Sequence, residues 1–341
     1  MAANMATFPF FLLTFFFLYW SMAIGTLVGR VKFWQYNGTN RNEMFVWAKL
    51  CSDFLGVKYL KTGSGSLYKK ERCVYLSNHR SWADFFVDVY LTEGIAQAMA
   101  RTMVGIAFPM FIGAATILRG ILLFKRGSIA NKDKFNTWLD DKLNSSPCSS
   151  LLVFPEGHRS TKSTSLPLKR GMLYYAHSRG LPVQVIMTRG KELVLSEKHH
   201  HAGYGTQLIT GFSELVLSKD KEFEQFWTEV QAMWDRMWAE VYSVDPSTAV
   251  PYTQDVPGSV YPLSMSVLYT VFTVSTVIFL LSTLWIMARI FGFMISPLPA
   301  MLQMVVWGAV PVTLAVSFRA SIIDNAKTSS SAVIKTAKKA Q

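Results

Sequence analysis

Three long stretches without a charged side chain constrain this sequence more than any other feature. Residues 8–24, FPFFLLTFFFLYWSMAI, carry no charge, and neither do residues 263–287 or 290–318. About 17–25 apolar residues let a helix cross the hydrocarbon of a bilayer, because the helix satisfies its own backbone N–H and C=O groups. The first stretch is near the short end of that range. No positive charge precedes it, so it does not read as a cleaved signal peptide. It fits an anchor, either spanning or half-sunk in one leaflet. In the third stretch, Gly292 with Pro297 and Pro299 supplies turn chemistry, and Pro311 interrupts the run again. The last two stretches therefore predict a membrane hairpin, with spans at about 263–287 and 296–318.

Flanking charge orients these segments. Arg30 and Lys32 follow the first one, and the C-terminal NAKTSSSAVIKTAKKAQ is basic. Cationic flanks stay on the cytosolic side, so the body and the tail are both expected there. Arg289 lies at the opposite end, where a single cation can snorkel to the interface. The final KKAQ resembles a dilysine signal, which predicts the endoplasmic reticulum membrane with a cytosolic C-terminus. Sequons at Asn37 and Asn144 then face cytosol and stay unmodified. The expected organisation is an N-terminal anchor (1–33), a cytosolic domain (34–255), the hairpin (256–319) and a basic tail (320–341).

Net charge narrows the partners. The chain is +12, from 34 Lys and Arg against 22 Asp and Glu, although only 16% of its residues are charged. A basic surface suits anionic lipid or a phosphorylated substrate. Nucleic acid is not an expected partner, since no zinc-finger spacing or RNP-type aromatic motif occurs. Cys51, Cys73 and Cys148 are odd in number and scattered, so they read as reduced core or surface thiols.

Within the body, short apolar runs recur: CVYLS (73–77), ILLFKR (121–126), LLVFPEG (151–157) and LPVQVIM (181–187). Stretches of helical character lie between them, at 133–143 and 172–179. This alternation predicts an α/β fold with a mixed, largely parallel sheet flanked by helices. Strands covered on both faces read as nearly continuous apolar runs, as these do. In residues 223–242, Phe223, Phe226, Trp227, Val230, Met233, Trp234, Met237, Trp238 and Val241 recur at three- and four-residue steps. That helix either packs on the sheet or docks at a membrane interface. Its acidic polar face suits anionic headgroups poorly.

Polar clusters stand where strands end, the place where α/β sheets bind ligands. In SNHRSWADFF, His79 follows a predicted strand and Asp84 opens a predicted helix. On an ideal helix five residues turn through ~500°, leaving the two side chains about 140° apart. They meet only if His79 occupies a turn before the helix. A carboxylate on one imidazole nitrogen would fix the tautomer and leave the other nitrogen as a base. The alternative is a plain capping turn. Arg126 ends ILLFKR with a guanidinium suited to phosphate oxygens. Pro155 and Gly157 force a turn that exposes Glu156 and Arg159, and Lys169 precedes a helix whose amino end favours an anion. Together these residues suit transfer of an acyl group onto a hydroxyl of a phosphorylated molecule. G-x-S-x-G is absent, so direct attack by the substrate hydroxyl is the economical route.

These motifs resemble those of the glycerolipid acyltransferases of the lysophosphatidate acyltransferase type. N-H-x-x-x-x-D is matched by Asn78, His79 and Asp84, and the glycine–apolar–arginine motif by Gly120 and Arg126. F-P-E-G-T-R-S is matched by Phe154, Pro155, Glu156, Gly157, Arg159 and Ser160, and a proline-bearing strand by LPVQVIM. His158 replaces the usual threonine, and Lys125 stands where aspartate is common. These departures bear on substrate preference rather than on the reaction.

The resemblance implies that His79 deprotonates an acceptor hydroxyl, which then attacks the thioester of acyl-CoA. Asp84 orients His79, Arg126 and Arg159 hold the acceptor phosphate, and Glu156 orders the loop. The implied partners are acyl-CoA as co-substrate, a phosphorylated glycerolipid acceptor and the bilayer, with no cofactor and no metal. His199, His200 and His201 read as a solvated loop, not a metal site. The preferred acceptor is lysophosphatidic acid. Glycerol 3-phosphate or another lysophospholipid is the alternative, and a catalytically silent lipid-binding protein is the competing class. Intact His79, Asp84, Glu156 and Arg159 argue against silence.

Overall fold

The computed structural model describes residues 5–31, 42–125, 131–162, 164–254 and 263–337. The first apolar stretch forms α1 (Phe8–Val31), followed by α2 (Glu43–Phe54), β1 (Lys58–Lys61) and β2 (Val74–Ser77). Next come α3 (Asp84–Leu91), β3 (Ala96–Arg101), α4 (Thr102–Ala107), α5 (Pro109–Ile117) and β4 (Ile121–Phe124). The chain continues through α6 (Lys132–Asn144), β5 (Ser150–Val153), α7 (Arg170–Ser178) and β6 (Val183–Arg189). A short α8 (Lys191–Val194) leads into β7 (Leu195–Ser196), β8 (His201–Ala202), β9 (Gln207–Val216) and α9 (Phe223–Ser243). After β10 (Val250–Pro251) come two long helices, α10 (Leu263–Ile295) and α11 (Ala300–Ala337).

Eight strands form one mixed sheet in the order β10-β1-β9-β6-β2-β5-β3-β4. From β6 to β4 every pairing is parallel; β6 with β9 and β1 with β10 are antiparallel. The expected α/β class with a largely parallel sheet is what forms. Central β2 and β5 are buried along their whole length, which accounts for their unbroken apolar sequences. Because β2, β3, β5 and β6 run the same way, their carboxyl ends share one edge of the sheet. The turns after β2, β5 and β6 therefore converge.

Both faces are covered. One apolar cluster joins Phe10 and Met22 of α1 to Phe45 and Trp47 of α2, Phe86 of α3 and Phe111 of α5. The other joins Leu139 of α6 and Tyr175 of α7 to Phe226, Val230, Trp234 and Val241 of α9. Helix α9 thus packs on β6 and β9 with its tryptophan face inward, which decides between its two readings. Strand β9 escapes sequence inspection because Gly211, Ser213 and Glu214 break its apolar run.

The C-terminal pair is different in kind. Residues Val267–Ile295 and Ala300–Ile322 are long and apolar enough to cross a membrane. Their apolar side chains face outward: Phe293 is 80% exposed and Met301 75%. So much contiguous exposed apolar surface is unfavourable in water and natural in lipid. The turn between the helices spans 296–299, where the Leu298 N–H donates to the Ile295 carbonyl at 3.0 Å. Gly292 stays helical rather than turning, and Pro311 lies inside α11. Helix α1 packs against both, and its Phe10 N–H donates to Ser317 Oγ at 2.9 Å.

The three consecutive histidines do not form a free loop. They cap a small hairpin of β7 and β8, and the His200 ring meets Phe8 and Phe11 of α1 edge-on at 6.0 and 5.6 Å. Cys51, Cys73 and Cys148 are all buried thiols outside any disulfide.

Candidate active site

His79 lies in the turn between β2 and α3, outside the helix, so the 140° separation of a regular helix does not apply. Its Nδ1 is 2.7 Å from Asp84 Oδ2. Asp84 is the first residue of α3 and reaches backward, where the same oxygen accepts the Arg80 N–H at 2.6 Å and the Ser81 N–H at 3.1 Å. One carboxylate oxygen thus holds both the turn and the imidazole. Nε2 has no hydrogen-bond partner among the described residues, and the imidazole side chain is 24% exposed against 2% for Asp84. A histidine held in this way presents a free nitrogen to an incoming hydroxyl.

The turn after β5 completes the frame. Gly157 takes φ +75°, a conformation that disfavours a side chain, and closes the turn by donating its N–H to the Phe154 carbonyl at 3.1 Å. This lays the Phe154 ring on the imidazole, with centroids 4.3 Å apart and planes at 20°. The His79 backbone is gripped from both sides. Its N–H donates to Glu156 Oε2 at 2.6 Å, and its carbonyl accepts the Ser160 N–H at 2.9 Å. Glu156 is 1% exposed, and its Oε1 has no hydrogen-bond partner among the described residues. Burial, only partly opposed by the His79 N–H and Lys191, pushes its carboxyl up to about 7.

Behind the pair lies a buried cation that sequence reasoning missed. Lys191, the first residue of α8, places its Nζ 3.5 Å from Asp84 Oδ1 and 2.9 Å from Asp88 Oδ2. Opposite charges that close attract by roughly 5 kcal/mol at an effective dielectric of about 20. Burial opposes the charge of Asp84, but Lys191 and then the His79 hydrogen bond outweigh it. The carboxyl is held below its usual range. Asp88, equally buried, is pushed up to about 6, chiefly by burial, with Lys191 opposing and Asp84 adding to the shift. The signal for Lys191 was present: T-R-G-K sets a lysine just past the carboxyl end of β6.

The other expected residues divide. His79, Asp84, Glu156 and Gly157 are brought together. Arg159 follows in the same loop, 39% exposed, and its Nη1 is 2.6 Å from Glu197 Oε1. Lys169 is exposed ahead of α7, and its backbone N–H donates to the Pro155 carbonyl at 2.8 Å. Arg126 lies outside the described residues. Two further arginines were not anticipated. Arg101, the last residue of β3, donates to the Gly157 carbonyl at 3.3 Å. Arg80, 4% exposed, pairs with Glu192 at 2.7 Å and 3.2 Å and donates to the Lys162 carbonyl at 2.8 Å. Asn78 stitches β2 to β6: its Nδ2 donates to the Thr188 carbonyl at 2.8 Å, and its Oδ1 accepts the Thr188 N–H at 3.1 Å.

Residues 58–188, which carry the site within the α/β body, match the family model Acyltransferase. A stretch of 133 residues is 29% identical to the 1-acyl-sn-glycerol-3-phosphate acyltransferase of Limnanthes douglasii, covering 38% of this chain and 45% of that protein. Another, of 137 residues, is 27% identical to the enzyme of that name from Cocos nucifera, covering 39% of this chain and 42% of that protein. The match therefore spans less than half the length of these relatives. The crystal structure of the 1-acyl-sn-glycerophosphate (LPA) acyltransferase PlsC from Thermotoga maritima shares the fold. Its TM-score is 0.53 at 16% identity, over 71% of this chain and 97% of that one. By these matches and its motifs the chain is similar to acyltransferases that act on glycerolipids.

Proposed function

We propose that this protein transfers an acyl group from acyl-CoA to the free hydroxyl of lysophosphatidic acid, forming phosphatidic acid for phospholipid synthesis. The observation that carries the proposal is the His79–Asp84 contact of 2.7 Å, with Nε2 unpartnered among the described residues. In the reaction Nε2 takes the hydroxyl proton while the oxygen attacks the thioester carbonyl. The tetrahedral intermediate then expels the CoA sulfur, which receives the proton from the imidazolium. Asp84, held ionised, stabilises that imidazolium and fixes the tautomer. Glu156 and Ser160 hold the His79 peptide, and Arg126, Arg159 and Lys169 supply positive charge for the acceptor phosphate. No step draws on a cofactor or metal.

The names of the matched relatives support lysophosphatidic acid as acceptor. The setting is the endoplasmic reticulum membrane, with the acyltransferase domain and basic tail in the cytosol. The outward-facing apolar helices support a membrane enzyme, and the cationic flanks support this orientation. Membranes containing the protein, supplied with labelled acyl-CoA, should acylate lysophosphatidic acid in preference to glycerol 3-phosphate or lysophospholipids with larger headgroups. Activity on glycerol 3-phosphate alone would reassign the acceptor, and no transfer to any of them would favour a silent lipid-binding role. A thiol label on a single cysteine introduced into the tail should react from the cytosolic side; lumenal labelling would reverse the topology.

A further inference from the structure

Lys191 is fully buried, and nothing in the four sequence motifs refers to it. Its Nζ meets only acceptors: Ser77 Oγ at 3.2 Å, the Asn78 carbonyl at 2.5 Å, and Asp88 Oδ1 and Oδ2 at 3.1 and 2.9 Å. Ser77 spends its own proton on Asp88 Oδ1 at 2.8 Å. An ammonium group satisfies this surround. Asp84 Oδ1, 3.5 Å away, has no hydrogen-bond donor among the described residues, so this cation is what faces it.

We infer that Lys191 is a positioning residue which, neutralised on its far side by Asp88, keeps Asp84 ionised and aimed at His79. The inference rests on the reading of His79 as base. Each packed element contributes charge or polarity here. The end of β2 offers Ser77 and Asn78, α3 offers Asp84 and Asp88, and the turn after β5 offers Glu156 with the Phe154 ring 5.9 Å from Nζ. Arg80 is occupied by Glu192 and so does not take the place of Lys191. Among the described residues the pocket thus sets three carboxyl groups, Asp84, Asp88 and Glu156, around one dedicated cation. Two like charges in one dry site do not both stay ionised without it.

Replacing Lys191 by methionine strands Asp84 and Asp88 together. If Asp84 takes up a proton, His79 loses its anionic partner. If both stay charged, the added negative field favours imidazolium at His79. Either course removes competent base as pH falls. The acid limb of kcat/KM should therefore move to higher pH by about one to three units. Asp88→Asn removes the competing carboxylate while leaving the cation, so its limb should stay at the wild-type position or fall. In K191M/D88N the charge balance returns, and the limb should move back toward wild type.

The test is the pH profile of the full-length enzyme in membranes with acyl-CoA and lysophosphatidic acid, for wild type and these three variants. A K191M loss that is equal at every pH would mean that the lysine only fills space, and would overturn the inference. If K191M does not accumulate, the other two variants decide. An upward shift in D88N overturns it, and an unshifted D88N with an active double variant supports it. Transfer surviving in His79→Ala is a separate result, which would remove the base itself.

Discussion

The carboxylate of Glu156 accepts the backbone N–H of His79 at 2.6 Å, so the turn after one strand holds the peptide carrying the imidazole of another. Burial pushes Glu156 from 4.5 up to about 7, with its second oxygen unpaired among the described residues. A carboxyl whose folded value is raised binds its proton more tightly when folded. Its contribution is therefore complete below about 4.5 and lost as pH rises through about 7. Glu156→Gln keeps the acceptor and removes this titration. Its melting temperature in detergent should gain on wild type between pH 5 and pH 8, by up to about 3 kcal/mol of stability. A constant difference across that range would place the titration elsewhere.

His79→Ala should abolish measurable transfer while leaving the fold intact. Asp84→Asn should lower kcat by about 10²–10⁴-fold, since the shape is kept and the charge on Nδ1 is lost. Turnover assays on variants with unchanged circular dichroism separate chemistry from folding. Near-normal turnover in either variant would remove the proposed mechanism.

Arg159 pairs with Glu197, 2.6 Å away. If the guanidinium moves to a phosphate, Arg159→Ala should raise the acceptor KM about 10–100-fold with a smaller change in kcat. Glu197→Gln should lower that KM by freeing the arginine. A normal acceptor KM in Arg159→Ala would limit this residue to holding the hairpin of β7 and β8.

Trp234 is fully buried where α9 meets the sheet. Trp234→Ala should cost about 3–5 kcal/mol of stability, through lost burial and the cavity left behind. The measurement is the denaturation midpoint of the purified protein. A loss below about 1 kcal/mol would show that α9 is not anchored through this face.

Much of this protein was written locally. The uncharged stretches declare α1, α10 and α11, because backbone in lipid must satisfy itself within a helix. The apolar runs declare β2, β4, β5 and β6, and the spacing of Asn78, His79 and Asp84 sets a turn against a helix start. Strand β3, AQAMAR, was not legible, because small side chains there satisfy a sheet without a β-rich signature. The face chosen by α9 was also open until packing resolved it. The surround of His79 and Asp84 was hidden for a different reason. Lys191 lies 103 residues from Asp88, and Glu156 lies 77 from His79. No local pattern relates such positions.

Local sequence decides which residues can turn, span or pair with near neighbours, since those preferences act over a few bonds. Which charges share a dry pocket was decided only when parallel strands brought their carboxyl ends to one edge. There two carboxylates came within 4 Å of one buried ammonium, close enough for it to set their ionisation.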